Sequence, residues 1–346
     1  MILFIVFRLS SFYNVYWIDG NTVEFREGIR NMKTISVVIP CYNEQEVLKL
    51  YKEEMDRIMA QMSYAAFELI FVDDGSQDKT LSILKEMHQE DARYQYLSFS
   101  RNFGKESAMY AGFQKATGDY VVVMDADLQD PPSYIPVMYE HLEQGEYDCV
   151  ATRRMDRKGE KKIRSFLSSS FYKVVNKISK TKIVEGARDF RMMNRQMTDA
   201  LLKMGEYNRF SKGLFAWVGY RTEWLEYHNA ERAAGDTKWS MGKLLRYSLD
   251  GILGFSTLPL SLASYGGIFC CGISFLLAVF IVIRSLLWND PVSGWPSLMC
   301  AILFIGGIQL CCIGILGQYL ARTYSETKHR PIYLLKETSD EAKKMS

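Results

Sequence analysis

The chain has 346 residues, enough for one large domain or two smaller ones, and its 42 basic and 40 acidic side chains leave a net charge of +2. That balance excludes the strongly basic footprint of a nucleic-acid-binding protein, so no nucleic-acid partner is expected. The seven cysteines (Cys41, Cys149, Cys270, Cys271, Cys300, Cys311 and Cys312) show no metal-finger spacing, and five lie in very apolar stretches, which reads as reduced thiols in a reducing compartment.

Residues 1–33 open with MILFIVF, too short to span a bilayer and lacking the basic region that precedes a signal peptide's apolar core. The regular pattern starts at MKTISVVIP. Residues 1–33 are therefore read as an N-terminal extension, either outside the mature protein, with Met32 as the working start, or a weak interfacial anchor.

From Thr34 the chain alternates. TISVVIP is the first β-rich run, and EQEVLKLYKEEMDRIMAQM carries apolar residues at helical spacing, with Asn43 and Glu46 as a capping-box variant. FELIFV, YQYLSF, DYVVVM and YDCVAT are the next four strands, separated by helices at KTLSILKEMHQ, KESAMYAGFQKA and SYIPVMYEHLEQ. A further helix is expected at SFLSSSFYKVVNKIS. Strands alternating with helices predict a mainly parallel α/β sheet covered on both faces. Continuous apolar strands fit that double burial.

The segment MGKLLRYSLDGILGFS has an apolar stripe with Lys243 and Arg246 off it, as in a helix lying in a membrane interface. Residues 258–283 and 296–320 are uncharged, and each stretch exceeds the roughly 20 residues needed to span a bilayer. Their link, 284–295, carries Arg284 and tryptophans near both ends. Lys238, Lys243 and Arg246 precede this hairpin and Arg322, Lys328 and Arg330 follow it, so both outer ends are expected in the cytoplasm. The expected domains are 34–239, a cytoplasmic catalytic domain; 240–257, a juxtamembrane amphipathic helix; 258–283 and 296–320, a transmembrane pair; and 321–346, a cytoplasmic tail.

PCYNE, DDGS, SRNFGK and DAD each follow a predicted strand, at the sheet edge where open α/β folds bind ligands. Neither a dinucleotide fingerprint nor a P-loop is present. The edge is instead acidic, with Glu44, Asp73, Asp74, Asp125 and Asp127. Carboxylates hold phosphates only through a hard cation, typically by one or two acids, so Asp125 and Asp127 are the candidate metal ligands for Mg²⁺ or Mn²⁺.

The motifs VVIPCYNE, VDDGS and MDADLQDPP, in that order, resemble the family 2 glycosyltransferases with the GT-A nucleotide-sugar-binding fold. GARDFRMMNR, NRFSKGLFAWVGY, ERAAGDTKWSMGKLL, GGIQLCCIGILGQYLART and KHRPIY are similar to the polyprenol-phosphate branch, in particular the bactoprenol glucosyltransferases. The resemblance covers residues 34 to about 335. It implies that Pro40, Tyr42, Glu44, Val72, Asp74, Asp125, Ala126, Asp127 and Arg153 bind the nucleotide sugar. Asp125 and Asp127 would carry the metal and diphosphate. Arg232 and Lys238, from a late R-x-x-G-x-T-K motif with Gly235 and Thr237, would face phosphate groups, with Arg209 a further candidate for the acceptor phosphate. Asp189 would be catalytic, together with Asp127, Arg232 and Lys238. The implied reaction is an inverting transfer of a hexose, glucose from UDP-glucose in this branch, to undecaprenyl phosphate. The implied setting is the bacterial cytoplasmic membrane, with a homo-oligomer expected.

Each residue also has a plainer reading. Asp73 and Asp74 could cap the following helix, Asp189 could pair with Arg188 or Arg191, and Arg209 could be an ion-pair partner. Arg232 and Lys238 could be solvated surface charges. Other donors, a UDP-N-acetylhexosamine or GDP-mannose, fit the same edge. A processive polysaccharide synthase would need a Q-x-x-R-W motif, which this sequence lacks. A scaffold or lipid translocase would not need the acidic edge.

Overall fold

The computed structural model describes residues 6–9, 12–19, 22–27, 32–154, 176, 182, 184–227, 254, 256–288 and 294–342. Arg232, Lys238, the helix expected at SFLSSSFYKVVNKIS and almost all of the juxtamembrane stretch lie outside the described residues. Near the N-terminus, Val6–Leu9, Phe12–Asp19 and Thr22–Glu27 form a separate three-stranded antiparallel sheet.

The main domain alternates as the sequence predicts: β1 (Thr34–Cys41), α1 (Leu48–Gln61), β2 (Ala66–Asp73), α2 (Thr80–Glu90), β3 (Tyr94–Phe99), α3 (Lys105–Lys115), β4 (Tyr120–Val123), α4 (Tyr134–Glu143) and β5 (Cys149–Arg154). It continues with β6 (Ala187–Asn194), α5 (Arg195–Leu202), α6 (Ser211–Trp217) and β7 (Thr222–Tyr227). After two long helices, α7 (Leu258–Trp288) and α8 (Trp295–Thr327), come β8 (Leu335–Thr338) and α9 (Ser339–Ala342).

Eight strands form one sheet in the order β7-β5-β6-β4-β1-β2-β3-β8. β1 pairs in parallel with β2 and β4, β2 with β3, and β5 with β7. β6 runs antiparallel between β4 and β5, and β8 runs antiparallel beside β3. Successive residues of β1 feed opposite faces. Ile35, Val37 and Ile39 pack with α1, α2 and α4, while Val38 packs with α3, α5 and α6. This two-sided burial explains why the central strands read as unbroken apolar runs. On α3, a Cβ at Gly112 would stand 2.1 Å from Val38 Cγ1, so only glycine allows the helix this close to the sheet.

α7 and α8 have 31 and 33 residues, about 46 and 50 Å of helix, longer than the ~30 Å hydrocarbon layer. Both are long and apolar enough to cross a membrane, and their side chains face outward, Phe269 and Phe304 each 69% exposed. They pack against each other, with Tyr319 donating to the Ser256 carbonyl at 2.7 Å. The chain then returns to the eight-stranded sheet. Leu335 to Thr338 cover the β3 edge, Tyr333 stacks on Phe99 at 4.8 Å, and Lys85 pairs with Glu337 at 2.6 Å. An uncovered edge strand invites pairing with another chain, and this tail replaces the β3 edge with a four-residue strand carrying Lys336 and Glu337, a short and charged edge that blunts the hazard.

Candidate active site

The carboxyl edge of the parallel strands gathers the motif loops. The first two are stitched together. Asn43 N–H donates to Ser76 Oγ at 2.9 Å, Gln77 N–H to Asn43 Oδ1 at 2.8 Å, and Glu44 N–H to Thr80 Oγ1 at 2.8 Å. Asn43 therefore does not begin a capping box on α1, whose N-cap is Val47 without a side-chain bond. Its φ of 54° suits a loop residue tied to the neighbouring turn, a conformation asparagine tolerates. Gly75 has φ of +68°, and a Cβ there would lie 2.5 Å from the Arg101 backbone, which explains the glycine in DDGS.

Asp73 and Asp74 are both buried, and both brace loops. Asp73 accepts from Ser76 N–H at 3.0 Å and Ser98 Oγ at 2.8 Å. Asp74 accepts from the N–H groups of Phe103 and Gly104 at 2.6 and 2.9 Å, joining the second loop to the start of α3. Burial raises its pKa to about 6, against the lowering effect of those two donors. Neither acid caps α2. Val72 and Ala126 belong to the core, so a nucleotide would meet them only through their backbone. Pro40 sits in register with Val72, and Tyr42 and Glu44 are half-buried just beyond β1.

Asp130 is 1% exposed and takes Arg188 Nε at 3.0 Å and Nη2 at 3.3 Å, with Tyr227 donating to the same carboxylate. The Asp130 charge helps hold the Arg188 guanidinium above its ordinary pKa, although burial opposes it. Of the three acids in MDADLQDPP, this one is a structural anchor. Asp127 accepts from Gln129 N–H at 3.1 Å within its own turn.

The antiparallel β6 brings Asp189 to Asp125. Val123 on β4 lies opposite Arg191 on β6. Continuing that register two residues each way sets Asp125 opposite Asp189. The two carboxylates share a cation: Lys105 Nζ lies 2.6 Å from Asp125 Oδ1 and 2.5 Å from Asp189 Oδ2. Burial pushes the Asp189 pKa up, but Lys105, then Lys212, hold it well below the usual carboxylate range. Burial likewise lowers the Lys105 pKa, yet the Asp125 and Asp189 charges leave it above an ordinary lysine. The Asp189 side chain thus pairs with Lys105 and not with Arg188, while the Arg191 charge adds a smaller downward pull on its pKa. Arg191 donates to the carbonyls of Asp189 and Arg188 and lies 3.7 Å over the Phe215 ring.

Next to Lys105, Glu106 accepts from the Ser211 N–H at 3.0 Å and from its hydroxyl, locking α3 to α6. Burial pushes its pKa up to about 7, opposed by the Ser211 bonds. Arg209 is buried, donates to the Met204 carbonyl and lies 4.4 Å over the Tyr110 ring. Arg153 pairs with Glu226 across β5 and β7.

Lys105, Glu106 and the Asp130–Arg188 pair escaped the sequence reading. Lys105 had one legible signal, its place in SRNFGK at the same edge as the acids. Among the described residues no three His, Cys, Asp or Glu side chains form a ready-made metal cage. Mg²⁺ and Mn²⁺ sites for phosphate substrates do not require one, because one or two carboxylates and the phosphates complete them. That a lysine ammonium already sits against Asp125 shows that this position accepts positive charge.

A doubly wound, mostly parallel sheet with two antiparallel strands, its acids gathered on the carboxyl edge and two long apolar helices after it in the chain, is the architecture of a GT-A glycosyltransferase. Residues 36–202 match the model for "Glycosyl transferase family 2". The chain is 43% identical over 305 residues to the glycosyltransferase CsbB of Bacillus subtilis, covering 88% of this chain and 92% of that one. It is 42% identical over 302 residues to the bactoprenol glucosyl transferase of Shigella phage SfV, covering 87% and 98%. It is 41% identical to the prophage bactoprenol glucosyl transferase homolog of Escherichia coli K12, with the same coverage. A solved mannosyl-3-phosphoglycerate synthase from Rubrobacter xylanophilus, 18% identical, superposes with a TM-score of 0.44 over 68% of this chain and 75% of that one. The chain belongs to glycosyltransferase family 2.

Proposed function

We propose that the enzyme transfers glucose from UDP-glucose to undecaprenyl phosphate on the cytoplasmic face of a bacterial membrane, with inversion at the anomeric carbon. The observation that carries this reading is the meeting of Asp125 and Asp189 at Lys105, with Asp127 two residues along the same loop. That arrangement occurs in a chain 41–42% identical to bactoprenol glucosyl transferases over 87% of its length.

Asp125 and Asp127 would hold Mg²⁺ or Mn²⁺, which when bound neutralises the charge developing on the departing diphosphate. Pro40, Tyr42 and Glu44 line the nucleotide side, with Asp74 bracing the loop behind. Asp189, kept ionised by Lys105, accepts hydrogen bonds from the sugar hydroxyls and so orients the sugar toward the acceptor. The acceptor phosphate is already ionised at neutral pH, so no strong base is needed to activate it. Arg232 and Lys238, which the resemblance assigns to phosphate, remain the candidates for the acceptor. Direct displacement turns an α-linked donor into a β-linked lipid phosphate. α7 and α8 are taken as a multi-pass anchor that keeps the polyprenol tail in lipid while its phosphate reaches the domain.

The test is a donor screen with the full chain in detergent, undecaprenyl phosphate and Mg²⁺ or Mn²⁺. UDP-glucose should give a lipid-linked sugar with a β anomeric phosphate. Preference for GDP-mannose or a UDP-N-acetylhexosamine would overturn the donor. Polymer, or no lipid product from any donor, would overturn the reaction.

A further inference from the structure

Lys105 is the first residue of α3, a helix of 11 residues. A lysine there opposes the helix macrodipole, which favours acids in the first turn, so local helix stability does not account for it. Its surroundings do. Asp74 fixes the preceding turn through the Phe103 and Gly104 N–H groups, and the following residue, Glu106, is fixed by its bonds from Ser211. The ammonium so aimed lies 2.6 Å from Asp125 and 2.5 Å from Asp189. Without it, the two carboxylates that now meet at one ammonium would face each other as like charges, and like charges held this close push apart.

We infer that Lys105 is a positioning residue for glycosyl transfer: it holds the Asp189 carboxylate against Asp125 and so keeps the orienting acid in register with the diphosphate side. This rests on the reading of Asp189 as the acid that orients the sugar toward the acceptor. Lys105 therefore acts through Asp189, and its removal should matter only while Asp189 is present.

The experiment is a double-mutant cycle on the full chain, using whichever nucleotide sugar the wild type turns over. The variants are Lys105→Met, Asp189→Asn and the pair together, each with kcat, donor KM and thermal midpoint. Lys105→Met should lower kcat at least about tenfold with donor KM within about threefold, and Asp189→Asn should lower it about a hundredfold. The double variant should match Asp189→Asn within about threefold, because groups acting as one unit are not additive. Should Lys105→Met fail to fold, the double variant, relieved of the repulsion, is compared with Asp189→Asn directly. Wild-type kcat in Lys105→Met, or losses that multiply in the double, would overturn the inference. Wild-type kcat in Asp189→Asn would remove the orienting role and this inference with it. Inactivity on UDP-glucose alone would refute only the donor and leave the cycle readable.

Discussion

Asp130 and Asp189 are both paired acids at one edge of the sheet, yet they do different work. Asp130 is enclosed by Arg188 and Tyr227 and has no route to a ligand. Asp189 shares a lysine with Asp125, the first acid of the D-x-D pair. Their substitution should separate these roles. Asp130→Asn leaves the half-buried Arg188 guanidinium without its counter-charge and should cost roughly 2 kcal/mol of stability. Activity per folded molecule should be retained. Asp189→Asn should cut turnover about a hundredfold while UDP-glucose affinity changes little, and the loss of its Lys105 pairing should lower the thermal midpoint modestly. Turnover, donor binding and melting on the same preparations check both, and a destabilised but fully active Asp189→Asn would reassign it to the structural class.

At the scale of elements, α3 and α6 meet through a carboxyl group whose charge is expensive. Glu106 has a folded-state pKa of about 7, above the ordinary value of 4.5. Its contribution to stability is full below about pH 4.5 and is lost as pH rises through about 7, up to about 3 kcal/mol. Glu106→Gln keeps an acceptor for Ser211 but cannot ionise. From pH 5 to pH 8 the wild-type thermal midpoint should therefore fall relative to that variant. A constant difference between the two across this range would contradict the assignment.

The elements differ in how legible they were. β1 to β5 and α1 to α4 were readable because each carries its own periodicity. β6 was not, since ARDFRMMN interleaves charges whose partners lie far along the chain: Asp130 for Arg188, Lys105 for Asp189, the Phe215 ring for Arg191. Its antiparallel direction is what carries Asp189 to Asp125, and no local pattern encodes that. The acidic edge was legible from motif order alone. The cation inside it was not, because a lysine after a glycine reads as an ordinary helix start. β8 was missed for a similar reason, as four residues whose pairing with β3 depends on the chain's return after α8.

At the scale of the molecule, the catalytic sheet and the apolar hairpin are joined twice. Tyr207 N–H donates to the Glu326 carboxylate near the end of α8, and the tail then adds β8 to the sheet. This double connection ties the domain to the C-terminal end of α8, the end that the charge pattern assigns to the cytoplasm. A single cysteine at Asn289, in a chain cleared of its other thiols, should label from outside intact cells with an impermeant reagent. Labelling only after lysis would overturn the proposed orientation.

The central claim is that the acidic edge performs glycosyl transfer through charge held at Asp127 and its neighbours, and Asp127→Asn tests it most directly. Lipid-linked sugar formation by this variant and the wild type should be compared at the same Mg²⁺ or Mn²⁺ concentration, on protein shown to be folded and membrane-bound. The expected result is a loss of at least about a thousandfold in transfer with an unchanged thermal midpoint, because the carboxylate serves a ligand and not the core. Wild-type transfer by Asp127→Asn under those conditions would contradict the account.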